Sequence, residues 1–342
     1  MNLPNQILGV LCSLIVAVAL LATGCISESQ QEVVVYCALD KEFSDKILDD
    51  FEKETGIRVL AKFDQESNKT VGLANEIIQQ ADNQRCDLFW NNEILHTLRL
   101  KRNGLLMSYA AEQSGSFPEQ FVSADADWFG FAARARVILV NTDRLPDKAQ
   151  WPKSVECFAD PKWKGQGGIA KPLFGTTASH AAVLYTQMGD DAADKFFQAV
   201  AANSHVESGN KQVAINVARG SYSFGLTDTD DAIVEIEAGH PVKMIFPDQG
   251  DNQSGTLLIP NTLAITGGPN PDNAKKLLDF LLRKQIEEQL ADGRSAQIPL
   301  HKQSDKKSRV EPDDLKVMSL DFEAAADNWE RIKERLVKIF PL

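Results

Sequence analysis

Residues 225–231 read Gly-Leu-Thr-Asp-Thr-Asp-Asp, so Asp228, Asp230 and Asp231 fall within four positions of one another. The apolar pattern makes 223–227 a strand and 230–238 a helix, which puts these carboxylates on a strand-to-helix turn. One or two of them serve as N-caps, since a side-chain oxygen accepts from the first free N–H groups and complements the helix dipole. A third carboxylate at one helix end adds like-charge repulsion that an incoming hard cation, an ammonium or a hydroxyl-bearing ligand would relieve. Asp40 and Glu93 lie on two other loops and would bring further negative charge to the same place.

Gly175-Thr176-Thr177-Ala178-Ser179-His180 offers the opposite chemistry. Backbone N–H groups and two hydroxyls at a helix start form an anion site without a lysine, and the plainer alternative is a simple N-cap. His180, one step into that helix, reads as structural. Arg134 and Arg136 are two apart in an extended run and share a face. Pairing with acids is the plain reading, and holding an anionic ligand is the other.

The sequence contains no Walker phosphate loop, no G-x-G-x-x-G, no H-E-x-x-H and no G-x-S-x-G. Glu93 and His96 stand three apart on one helix, but the second such pair that a di-metal site requires is missing. A binding protein with no catalytic residue of its own is therefore expected.

The elements that must position these groups alternate between strand and helix. Strands are expected at 33–36, 57–63, 86–90, 168–170 and 223–227. Helices are expected at 43–55, 69–80, 92–102, 176–188, 191–202, 211–219, 230–238, 273–290 and 324–338. This order implies an α/β fold with parallel sheets covered on both faces. Residues 128–141 form an extended run too long for an ordinary strand and read as a crossing between lobes, with 256–266 crossing back. Two α/β lobes joined by two extended crossings enclose a cleft. The loops after the strand ends line it: 37–42, 91–93, 174–179 and 227–231.

The chain has 342 residues, enough for two domains, with 36 basic against 48 acidic side chains and a net charge of −12. A 43% hydrophobic and 25% charged composition argues against wholesale disorder and against a multi-span membrane protein. The acidic balance, without a basic stripe, weakens any nucleic-acid role. Residues 1–24 carry no Asp, Glu, Lys or Arg, and 7–22 is an apolar run short for a membrane span. It ends in Leu21-Ala22-Thr23-Gly24-Cys25, which resembles a bacterial lipoprotein signal. A plain secretory signal or a buried helix is the alternative. On the first reading Cys25 takes the lipid, and residues 25–32 are a flexible tether that holds the folded part at a membrane surface. Cys12 leaves with the signal, so Cys37, Cys86 and Cys157 remain as free, mostly buried thiols with no metal-site spacing.

The strand and loop Val33 to Glu42, Cys86-Asp87-Leu88-Phe89-Trp90, the run from Phe131 to Thr142, and Asp160-Pro161-Lys162-Trp163-Lys164-Gly165 together carry a resemblance. The chain resembles the ferric-iron-type extracellular solute-binding proteins of bacterial ABC importers, over about residues 33–300. The resemblance implies a type II periplasmic-binding-protein fold, two α/β lobes joined by extended hinge strands. The parts expected are a signal peptide at 1–24, a first lobe at 33–133, a second lobe at 134–262, and a return crossing with C-terminal helices at 263–342.

Ferric-binding members carry two adjacent tyrosines where this chain has Thr229 and Asp230. Their first-loop histidine falls at Asp40, and their glutamate falls at Asn92, with Glu93 beside it. Gly175, Thr176, Thr177 and Asn210 fall where such members hold phosphate or carbonate. The expected ligand contacts are thus Asp40, Asn92, Glu93, Arg134, Thr176, Thr177, Asn210, Thr227, Asp228, Thr229 and Asp230, with Asp40, Glu93 and Asp230 as metal ligands.

What the resemblance implies is a monomeric periplasmic or cell-surface binding subunit. It would need no cofactor and would pass ferric ion, with phosphate or carbonate, to a permease and its ATPase. A phosphorylated sugar, a phosphonate or another small organic solute is the alternative cargo. A sensory lipoprotein or a hydrolase on the same scaffold is the alternative of another class.

Overall fold

The computed structural model describes residues 31–63 and 71–341. The expected signal peptide, Cys25 and nearly all of the tether lie outside the described residues. Among those described, no helix is long and apolar enough to cross a membrane.

The first lobe begins with β1 (Glu32–Cys37), α1 (Lys41–Thr55), β2 (Arg58–Phe63), α2 (Val71–Gln79), β3 (Leu88–Asn91) and α3 (Leu95–Arg102). β1 pairs in parallel with both β2 and β3. Helix α1 forms because Ile47, Leu48 and Phe51 recur on one buried stripe. It stops at Gly56, whose φ of 72° is the left-handed conformation that glycine adopts without strain.

β4 (Phe129–Asn141) is buried at all 13 positions. Its first half pairs antiparallel with β9 (Leu258–Ile265), which in turn pairs with β3. Its second half pairs antiparallel with β7 (Phe224–Asp228) and with β8 (Val242–Ile245). One strand therefore belongs to both lobes, as its length suggested. The register slips between Phe131 and Arg134, where Ala132 takes a φ of 42°. A bulge of this kind bends a strand and re-aims the side chains after it, here Arg134 and Arg136.

The second lobe continues with β5 (Gly167–Ala170), α4 (Gly175–Met188), α5 (Asp190–Asn203), β6 (His205–Glu207), α6 (Asn210–Ala218), β7 and α7 (Thr229–Glu237). β5 runs parallel to β6 and β7, so the strand order across the molecule is β2-β1-β3-β9-β4-β7-β5-β6.

The return differs from expectation. Residues 258–265 form one strand that starts beside Ala135 and ends in the first-lobe ladder beside β3, so a boundary at 262/263 would fall inside it. Apolar content alone does not tell a hinge strand from a buried central one. The expected helix 273–290 is two helices, α8 (Pro271–Leu281) and α9 (Lys284–Asp292), because Arg283 is extended at ψ 140°. The expected helix 324–338 is likewise α10 (Phe322–Asp327) and α11 (Trp329–Ile339), broken at Asn328. α10 packs on α3 of the first lobe and α4 of the second, so the C-terminal segment bridges both. Cys37, Cys86 and Cys157 are buried and unbridged. Burial pushes the Cys37 and Cys86 thiols up to about 12, which makes them inert.

Candidate functional site

Loops from both lobes meet in a cleft of about 300 Å³. Each of the four expected loops contributes to its lining: Asp40 from the first, Asn92 from the second, Thr176 from the third, and Asp228 and Asp230 from the fourth. Four helices begin at this cleft: α1 at Asp40, α4 at Phe174, α6 at Gly209 and α7 at Asp228. Gly209 has no side chain, and none of the other three N-cap side chains makes a capping hydrogen bond to its own helix. The positive ends of four helix dipoles therefore face one space. Acids answer two of them, Glu42 in the first turn of α1 and Asp230 and Asp231 in that of α7, while α4 and α6 have none.

At the inner wall, Asp228 receives three donors. Arg136 Nη1 donates to its Oδ1 across 2.5 Å, while Thr176 Oγ1 and Asn210 Nδ2 donate to its Oδ2 across 2.6 and 2.9 Å. Burial alone would raise the Asp228 pKa. The guanidinium charges of Arg136 and Arg134, with the Thr176 bond, outweigh it and hold the carboxyl below its usual range. The hydroxyl and amide assigned to an external anion thus already serve an internal carboxylate.

Arg134 joins the lobes. Its Nη1 donates to Asp230 Oδ2 at 3.2 Å, and its Nη2 donates to the Asn92 backbone carbonyl. Burial disfavours its charge, but Asp230 and Asp228 more than offset that and hold its pKa above the ordinary value. Asp230 Oδ1 also accepts from the Asp231 backbone N–H. Carboxylate oxygens of Asp228, Asp230 and Asp231 all lie within 4.8 Å of one another, a spacing that could hold a metal ion. Asn92, 5% exposed, lines the cleft with a side-chain carbonyl oxygen that has no hydrogen-bond partner. A buried acceptor left unsatisfied is costly, and at a cleft wall it is the kind of group a ligand completes.

Four of the expected contacts are placed elsewhere. Glu93 is fully buried and caps α3 from below. It accepts from the Leu95 and His96 N–H groups at 2.5 and 2.9 Å, from Asn91 Nδ2 at 2.8 Å and from Ser179 Oγ at 2.7 Å. Its carboxylate satisfies helix donors and ties the lobes together, so it is not offered to a metal. Thr229 Oγ1 accepts from the Ala135 N–H, and Thr227 Oγ1 donates to the Asn210 carbonyl. Thr177 Oγ1 donates to Asn210 Oδ1 and accepts from Arg136 Nη2. These three threonines sit one layer behind the lining.

Sequence reasoning missed Lys171, Ser208, Lys211 and Arg294, which also line the cleft. Ser208-Gly209-Asn210 is a readable helix start, but the three-residue strand β6 before it gave no period. Arg294 reaches the site only through the C-terminal fold, where it pairs with Glu42 at 3.2 Å. His180 is buried without a partner, and burial together with the nearby Arg136 charge pushes its pKa down to about 3.

Residues 95–327 match the family model described as bacterial extracellular solute-binding protein. Iron uptake protein A1 of Synechocystis sp. is 24% identical over 294 residues, which is 80% of this chain and 78% of that protein. The crystal structure of iron-bound HitA from Pseudomonas aeruginosa superposes with a TM-score of 0.80 at 20% identity, covering 90% of this chain and 99% of that one. The periplasmic binding protein AfuA from Actinobacillus pleuropneumoniae, bound to exogenous fructose-6-phosphate, superposes with a TM-score of 0.79 at 23% identity, over 92% and 100% of the two chains. At these identities the structural likenesses establish the fold, a periplasmic-binding-protein architecture.

Proposed function

The chain belongs to the bacterial extracellular solute-binding proteins, and from that premise we propose that it is the substrate-binding subunit of an ABC importer that captures ferric iron together with an anion. The observation that carries the cargo is the trio of Asp228, Asp230 and Asp231, with oxygens within 4.8 Å of one another in an interlobe cleft. Oxygen-only donor sets suit a hard cation. The name of the Synechocystis relative points the same way.

Asp228 already accepts three donors, so Asp230 and Asp231 would supply most of the metal-binding oxygens. Asn92 and Asp40 would answer from the first lobe. The uncapped starts of α4 and α6 would hold the anion. A ligand touching both lobes makes contacts that only the closed state provides, and this shifts the population toward closure. A lipid on Cys25 would keep the subunit beside its permease.

A different observation favours a second reading, a phosphorylated organic solute. Ferric sites gain from phenolates, and this chain's four tyrosines, Tyr36, Tyr109, Tyr185 and Tyr222, all bond carboxylates outside the cleft. Thermal shift of the purified protein separates the readings. Ferric chloride with phosphate raises the melting midpoint on the first reading, and fructose 6-phosphate raises it on the second. A solute at a hundred times its dissociation constant adds about 2.7 kcal/mol. No shift with either class of solute would contradict both.

A further inference from the structure

We propose that the cleft contains an apolar subsite, built from Phe174 and Phe43, that receives the carbon skeleton of a hydroxylated organic anion. This rests on the reading of the cleft as the solute site and names what kind of solute fills it. Phe174 occupies the N-cap of α4, at φ −139° and ψ 152°, where its ring makes no capping bond. Ser, Thr, Asp and Asn are strongly preferred at that position, because their oxygens satisfy a free N–H. Helix α4 forgoes that gain, and the ring lies 37% exposed in the cleft lining.

Among the described residues, the other exposed large hydrophobics are Met107, Met188 and Val206, none of them aromatic and none in the cleft. Phe43, from the first turn of α1 in the opposite lobe, lines the same cleft, half-buried. Leu39 and Val234 extend the apolar wall. A ferric ion with phosphate has nothing to place against two phenyl rings.

Size points the same way. The cleft is about 300 Å³, roughly ten water volumes and the lower end of the range for small organic ligands. Its polar wall is mixed. Asp230, Asp231 and the Asn92 carbonyl suit hydroxyl donors, whereas Lys211 and the uncapped α6 start beside it suit an anionic group. A hydroxylated organic anion meets all three surfaces, either alone or as the organic chelator of a ferric ion.

Phe174→Ala tests this: it removes the ring without adding a side-chain oxygen that would compete for the α4 N–H groups, and the ring's 37% exposure limits the packing lost. Titration calorimetry would compare fructose 6-phosphate, ferric citrate and ferric chloride with inorganic phosphate. The expected result is that fructose 6-phosphate or ferric citrate binds wild type more tightly than ferric phosphate does. Phe174→Ala should weaken that organic probe about tenfold, leave any ferric phosphate binding unchanged, and leave the unliganded protein folded with a cooperative melting transition. The subsite is overturned, with the binding-protein reading intact, if ferric phosphate binds best or if Phe174→Ala leaves an organic probe's affinity unchanged. If none of the three probes binds, the subsite and the cargo reading beneath it both fall.

Discussion

Arg136 and Asp228 stand directly opposite each other in the β4–β7 ladder, and their side chains close the same pair with a 2.5 Å ion contact at 0% and 3% exposure. In a buried pair like this each charge is held chiefly by the other, with Thr176 and Asn210 adding bonds to Asp228. Removing one partner leaves an uncompensated charge, whereas replacing both by apolar groups is often neutral. Arg136→Met is therefore expected to cost about 3–5 kcal/mol in chemical denaturation. The double variant Arg136→Met/Asp228→Leu should recover most of that loss. A double variant as unstable as the single one would show that the pair does more than balance charge.

Asp230 carries structure as well as the proposed ligand chemistry. The structure pairs it with Arg134 at 3.2 Å, with only 10% and 6% of the two side chains exposed. Asp230→Asn is expected to abolish measurable ferric binding and also to lower unliganded stability by about 1–3 kcal/mol, as for a weakened buried charge bond. Full-strength ferric binding by the folded variant would remove Asp230 from the site.

The bond from Ser179 to Glu93, 2.7 Å across the two lobes, favours the conformation seen here. Ser179→Ala removes one donor from a carboxylate that keeps three others, at a cost of about 1–2 kcal/mol. Small-angle scattering should then show a larger radius of gyration for the unliganded variant than for wild type. Identical scattering would mean that this bond does not restrain the lobes.

His180 sets a pH window. Its folded pKa is pushed down to about 3, against roughly 6.5 when unfolded, so between those values the unfolded chain binds a proton that the folded one does not. The neutral form's contribution is complete above about pH 6.5 and is lost as pH falls toward 3. Replacing the side chain, His180→Gln, should flatten the stability–pH curve between pH 6 and 4 by up to about 1.4 kcal/mol per pH unit. An unchanged slope in denaturation midpoints would place the titration elsewhere.

Much of this site was legible because strand-to-helix turns announce themselves. Asp228 at the end of β7 and Asp230 after it, Thr176 at the start of α4 and Asp40 after β1 are local patterns, and all line the cleft. What the pattern could not show is which oxygen is already taken. Glu93 looks like a ligand until the Leu95 and His96 N–H groups and Ser179 are seen to consume it. Thr227, one step from Asp228 in β7, is turned behind the lining by strand alternation, and Thr229 at the start of α7 is taken by the Ala135 N–H. Arg294 arrives through long-range packing that no local period encodes.

Anomalous diffraction at the iron edge, from crystals grown with ferric chloride and phosphate, puts the cargo and the carboxylates in one image. The account predicts a single strong peak in the cleft, coordinated by Asp230 and Asp231, with anion density at the starts of α4 and α6. A cleft without an iron peak, with Asp230 still held by Arg134, would contradict it.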